Sequence, residues 1–186
     1  MKTTLSAQQG AFYTKNGFIE FELPHIVHSE SPERDLWRRS ESLKQFILRK
    51  LGPLALTLTG KKQLRIGLDQ WITKENRPEK ACLLKEMFCL QGFALGALLA
   101  QNPVQPARKS PLGLLPLPST SENVLFFRPD LILDWPHVSS DVFLILFTLP
   151  NAVYVHNSND EATNYLKSLG YQFGDCLKSE THPLII

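Results

Sequence analysis

Histidine beside carboxylate is the pairing in this chain most able to do chemistry. Imidazole and carboxylate together can hold a divalent metal or pass a proton. His28-Ser29-Glu30 has histidine-x-carboxylate spacing, and His25 lies three residues before His28, near enough to share a metal if that loop is helical. Asp134, His137 and Asp141 make a second short group, and His156 stands apart from both. Each of these also suits a surface or capping residue. The gaps matter as much as the groups. No histidine occurs from Ser29 to Pro136, and no arginine follows Arg128.

Other chemistry has less support. The chain has no G-x-S-x-G elbow, no glycine-rich phosphate loop, no H-E-x-x-H and no paired-cysteine metal spacing. Cys82, Cys89 and Cys176 are odd in number and irregular in spacing, so reduced and mostly packed thiols are expected. Such thiols suit a reducing compartment. Trp37, Trp71 and Trp135 read as core or pocket-lining residues.

The elements that must position these residues begin with a helix. Ser6-Ala7-Gln8-Gln9 is a capping box, and Asn16-Gly17 supplies a left-handed stop after Lys15. Phe18–Leu23 alternates apolar and acidic residues, as a strand with one wet face does. A second helix is expected after a loop over residues 24–32, with Ser31 as cap, Pro32 as first residue and Gly52-Pro53 as its end. From there the pattern predicts strands: Leu54–Thr59, Leu64–Ile72, Met87–Ala100, Leu112–Leu117, Asn123–Phe127, Leu131–Trp135, Val142–Leu149 and Ala152–Val155. Asn159 should cap a short helix, Asp160–Leu169, stopped by Gly170, and the tail should be irregular or a last edge strand. Helices confined mainly to the first 50 residues and short strands after them imply one α+β, mainly β, domain over residues 1–186 with a helical N-terminal part over 1–52. It would be a sandwich or jelly roll with the helices packed on one sheet.

Four stretches, in order, resemble the phytanoyl-CoA dioxygenase branch of the iron(II)/2-oxoglutarate dioxygenases. Phe12-Tyr13-Thr14-Lys15-Asn16-Gly17-Phe18-Ile19 is similar to the family's opening helix and strand. Ile66-Gly67-Leu68-Asp69-Gln70-Trp71 stands where members carry a histidine-x-aspartate pair. Leu112-Gly113-Leu114-Leu115-Pro116 resembles the stretch ahead of a P-G-S-H turn. Val124-Leu125-Phe126-Phe127 leading to Leu131-Ile132-Leu133 resembles the strand pair ending in the distal histidine. The resemblance implies a double-stranded β-helix (jelly roll) holding iron(II) by two histidines and a carboxylate, with 2-oxoglutarate gripped by an arginine. On this match the first histidine falls on Gly67, the carboxylate on Asp69, the distal histidine on Leu133 and the arginine near Val142-Phe143. Glycine and leucine have no lone pair to offer a metal. The expectation is therefore a catalytically inactive dioxygenase fold without iron or 2-oxoglutarate ligands. A vestigial pocket at Gly67, Asp69, Trp71 and Leu133 would be open to a small apolar or anionic molecule. An active but divergent dioxygenase would need histidines from a loop and a C-terminal helix to converge on Asp69; His156, separately, could point into the barrel mouth.

Charge leaves another class open. Residues 1–128 carry 18 basic and 11 acidic side chains, a net +7, whereas residues 129–186 carry 2 and 7, a net −5. The basic residues gather at Arg34-Asp35-Leu36-Trp37-Arg38-Arg39, Arg49-Lys50 and Lys61-Lys62. Such a surface could attract phosphates, though it reads more simply as a solvated helix face; a resemblance to a divalent-cation-dependent DNA-binding regulator implies nucleic acid as the partner. At 43% apolar and 20% charged residues the chain is globular in composition. No apolar run reaches the roughly 20 residues of a membrane helix. No leader-like core follows Lys2, so a cytoplasmic protein is expected.

Overall fold

The computed structural model describes residues 5–23, 34–100, 122–137 and 141–186. Helix α1, Ala7–Asn16, starts at Ser6, whose hydroxyl accepts from the Gln9 N–H while the Gln9 side chain accepts from the Ser6 N–H. Gly17 closes it in the left-handed conformation, φ 78°, with its N–H on the Tyr13 carbonyl. The chain then turns directly into β1, Phe18–Glu22.

The second helix departs from the sequence expectation at both ends. Ser31 and Pro32 lie outside the described residues; the observed cap is Ser40, which accepts from the Leu43 N–H at 3.3 Å. A one-turn 3₁₀ segment, Leu36–Arg38, precedes it. Helix α2, Glu41–Phe46, passes through a π turn, Ile47–Leu51, into α3, Gly52–Thr59. Gly52-Pro53 therefore does not end the helix, and Leu54–Thr59 is helical rather than a strand. The reason is local: proline lacks the N–H that a regular turn would use. The wider π turn, with the Gly52 N–H reaching back to the Ile47 carbonyl, absorbs that break. Gly60, φ 63°, stops α3.

Among the described residues six strands form one antiparallel sheet in the order β1-β4-β3-β5-β2-β6. β2 is Leu64–Ile72 and β4 is Asn123–Phe127, both as read from sequence. A four-residue helix α4, Leu84–Met87, precedes β3, Leu90–Ala100, which is bulged around Gly92. Val142–Leu149 and Ala152–Val155 merge into one strand, β5, Val142–Tyr154. β6, Leu184–Ile185, is the short edge strand. Leu131–Trp135 is not a strand: Leu133 makes a single bridge to Cys82, and a 3₁₀ turn follows at Trp135–His137. The segment 160–169 is a run of turns closing in a 3₁₀ turn, Tyr165–Leu169, rather than an α-helix. The expected strand Leu112–Leu117 lies outside the described residues.

Strand alternation gives the sheet two apolar faces. One face, with Ile66, Trp71, Phe143, Ile145 and Phe147, packs on the helical layer through Leu43, Ile47, Leu51, Leu54 and Ala55. The other, with Leu68, Ile72, Leu144 and Leu146, packs on the α4 turn, Leu133, Trp135 and the C-terminal residues Leu166, Tyr171 and Leu177. No helix among the described residues is long and apolar enough to cross a membrane.

Candidate functional site

Asp69 lies in the middle of β2, opposite Ile145 of β5, and is fully buried. A carboxylate there must find donors or pay its full desolvation cost. It finds them in the chain turning over the sheet at residues 35–37. Asp69 Oδ1 accepts from the Leu36 N–H at 2.8 Å and Oδ2 from the Trp37 N–H at 2.9 Å. The Asp69 carbonyl accepts the Asp35 N–H at 2.9 Å. Burial lifts the Asp69 carboxyl to about 7; the Trp37 N–H opposes that shift and the nearby Asp35 charge adds to it. Asp69 is thus the anchor that fixes the 3₁₀ segment and the start of α2 on the sheet.

Gly67 sits at the register shift between Ile66 and Leu68. A Cβ at this position would lie 2.6 Å from Thr148 Cγ2 and 3.0 Å from the Leu146 carbonyl oxygen. The site admits no side chain without movement of β5. Trp71 is on the helix-facing side, tilted against Phe143 at a centroid distance of 5.1 Å. Leu133 is buried in the opposite apolar cluster. The alternation of β2 after its bulge therefore carries Asp69 and Trp71 to one face and leaves Leu133 on the other.

These residues do not fit an iron(II) centre. Both Asp69 oxygens are engaged by backbone, Gly67 has no room for an imidazole, and Leu133 is across the sheet. Among the described residues no three or more His, Cys, Asp or Glu side chains are grouped to hold a metal. His25 and His28 lie outside the described residues, and His137 is described by its backbone alone. His156 is exposed, just past the end of β5, tilted against Phe173 at a centroid distance of 5.3 Å.

Sequence reasoning missed the polar cluster on the other face of β2. Arg34 makes an isolated bridge to Gln70, and its guanidinium grips Asp160 with both ends, Nη1–Oδ2 at 3.0 Å and Nη2–Oδ1 at 2.7 Å. Gln70 Oε1 accepts from Arg34 Nε and Nη2 at 3.1 and 3.0 Å. The guanidinium lies 5.3 Å from the Phe88 ring centroid. Asp160 also accepts the Cys89 and Ala162 N–H groups. Burial opposes ionisation of Asp160, but the Arg34 hydrogen bonds and charge outweigh it and hold the carboxyl below its usual range. Cys89, beside them, is pushed up to about 12 by burial first and by the Asp160 charge second, which makes it a packed thiol and no nucleophile. Partners 126 residues apart leave no local pattern to read.

A second buried set ties down the C-terminus. Arg38 pairs with Asp35 at 2.9 Å, donates to the Thr181 carbonyl and approaches His182 Nε2 at 3.1 Å. His182 Nδ1 meets the Tyr171 and Thr181 hydroxyls. Burial depresses His182 to about 3, with the Arg38 and Arg65 charges pushing the same way. Two of the three arginines in the Arg34–Arg39 run are therefore turned inward, and that run is neither a solvated helix face nor an open phosphate-binding patch.

Neither a protein-family model nor a curated protein matches this sequence. Solved structures do. SnoK, a non-heme alpha-ketoglutarate-dependent carbocyclase from nogalamycin biosynthesis, aligns over 98% of this chain and 97% of its own at 15% identity, with a TM-score of 0.69. The chain shares the fold of that structure. The epimerase SnoN from the same biosynthesis aligns over 96% of this chain and 98% of its own at 14% identity, with a TM-score of 0.67. CT296 from Chlamydia trachomatis aligns over 80% of this chain and 97% of its own at 17% identity, with a TM-score of 0.49, a likeness too loose to argue from. At such identities fold is shared while ligand sets need not be.

Proposed function

We propose that this chain is a catalytically inactive member of the iron(II)/2-oxoglutarate dioxygenase fold. It would be a double-stranded β-helix, related to the phytanoyl-CoA branch, acting in the cytoplasm as a scaffold. The observation that carries the proposal is the state of Asp69. The one ligand-type residue at the matched positions is buried, and both its oxygens are taken up by the Leu36 and Trp37 amides. Each oxygen so engaged keeps a second lone pair, but the carboxyl is fully buried, and among the described residues no three or more His, Cys, Asp or Glu side chains are grouped to share a metal. The bulge at Gly67, which excludes a Cβ, supports the same reading. The three free cysteines suit a reducing cytoplasm.

Turnover tests it. Purified protein, given iron(II), ascorbate, oxygen and 2-oxoglutarate, should form no succinate above a protein-free control. Stoichiometric succinate that disappears with a chelator would overturn the proposal and point instead to histidines from outside the described residues.

A further inference from the structure

A cleft of 570 Å³ opens beside the sheet face that carries the Arg34–Asp160 pair, lined by the α4 turn, the start of β3, the turn after β4 and the residues after β5. Its volume falls within the range that small organic ligands occupy, about 300–1,000 Å³. Phe93, Pro129 and Val155 give it an apolar lining, and Phe93 is set by an edge-on contact with Phe88, 6.4 Å between centroids at 72°.

The polar lining has a sign. Lys85 and Gln91 line the cleft with exposed side chains that have no protein partner among the described residues. His156 lines it too, and Phe173, which it tilts against, carries the Lys167 ammonium 4.4 Å from its ring centroid. Among the described residues of the lining Asp130 is the one carboxylate, and Arg128 Nε holds it at 3.1 Å. Asn157 is already committed, its amide donating to the Phe88 carbonyl at 3.1 Å. What remains for a ligand is a cation, an amide donor and an imidazole around an aromatic ring.

We propose that this cleft binds a small organic anion, a carboxylate on an apolar or aromatic body. Lys85 supplies the charge, Gln91 a hydrogen bond to the carboxylate, and Phe93 the surface for the body. Charge-assisted hydrogen bonds of this kind are about twice as strong as neutral ones. The inference goes beyond the inactive reading and does not depend on it: a chain that turned over 2-oxoglutarate would still have the cleft.

The test uses three probes on the full chain, 3-phenylpropanoate, its neutral amide and 2-oxoglutarate, titrated by heteronuclear NMR. The acid should shift the amide resonances of Gln91, Phe93 and His156 and bind at least about tenfold tighter than either other probe. Lys85→Gln, an exposed substitution, should cost the acid about tenfold and leave the amide unchanged, while Phe93→Ala should weaken both. Equal binding of acid and amide, indifference to Lys85→Gln, or no shifts at the cleft up to about 10 mM probe would each overturn the proposal.

Discussion

Asp69 is tied so firmly into the fold that its removal reads out as stability. Asp69→Ala strips the acceptors from the buried Trp37 N–H and the part-buried Leu36 N–H, and at about 1–3 kcal/mol each the loss should total about 2–6 kcal/mol in urea unfolding. Asp69→Asn, which keeps one acceptor oxygen, should lose less. A residue kept only as a metal ligand would give the reverse, since removing an unpaired buried carboxylate relieves its desolvation cost. The identity of the matched residues was legible in the sequence, because glycine and leucine cannot ligate. Their failure to converge was not. Gly67 sits in a bulge, and one extra residue in a strand exchanges the faces of everything after it. The Arg34–Asp160 pair was illegible for another reason: it is made entirely across the fold.

At the scale of elements, legibility followed local chemistry. The Ser6 capping box, the Gly17 stop, β2 and β4 stand where composition and turn residues put them. Leu54–Thr59 did not, because a short apolar run looks the same as a buried strand or a buried helix. A glycine-proline pair also reads as a stop unless a π turn makes room for it. Leu131–Trp135 has strand composition but, among the described residues, one bridging partner, Cys82, and no ladder. The helix and the edge strand are fitted to each other at Gly52, where a Cβ would lie 2.7 Å from Ile185 Cγ2. Gly52→Ala should therefore push β6 off Leu64 and Arg65, costing about 1–3 kcal/mol. Hydrogen exchange would report it as faster exchange at the Ile66 N–H, which bonds to the Pro183 carbonyl, with β3–β5 unchanged. An unchanged rate at Ile66 would mean that the contact is slack.

Over the whole molecule two buried titrating groups oppose each other. Asp69 is raised to about 7 in the fold, from an ordinary 3.8, so its contribution to stability is fully present below its unfolded value and is lost as pH rises toward 7. His182 is depressed to about 3 from 6.5, so its contribution is present above the unfolded value and is lost as pH falls toward 3. Their slopes cancel in part between about pH 4 and 6.5, and the native protein should show a shallow dependence there. Asp69→Asn should leave the His182 slope alone, with urea midpoints climbing as pH rises through that window, and His182→Gln should reverse the slope. Parallel profiles for both variants would contradict the assignment.

The fold, with its helical layer on one face of an antiparallel sheet, was legible as a class from the order of four weak stretches. Whether the chain can hold a metal at the matched positions turns on Asp69. Anaerobic calorimetric titration of metal-free protein with iron(II), in the presence of 2-oxoglutarate, measures that most directly. No saturable heat should appear at one-to-one stoichiometry, and the native protein and Asp69→Asn should give the same trace. A one-to-one isotherm that Asp69→Asn abolishes would contradict that expectation, because Asp69 would then be a ligand and not the anchor of the 35–37 segment.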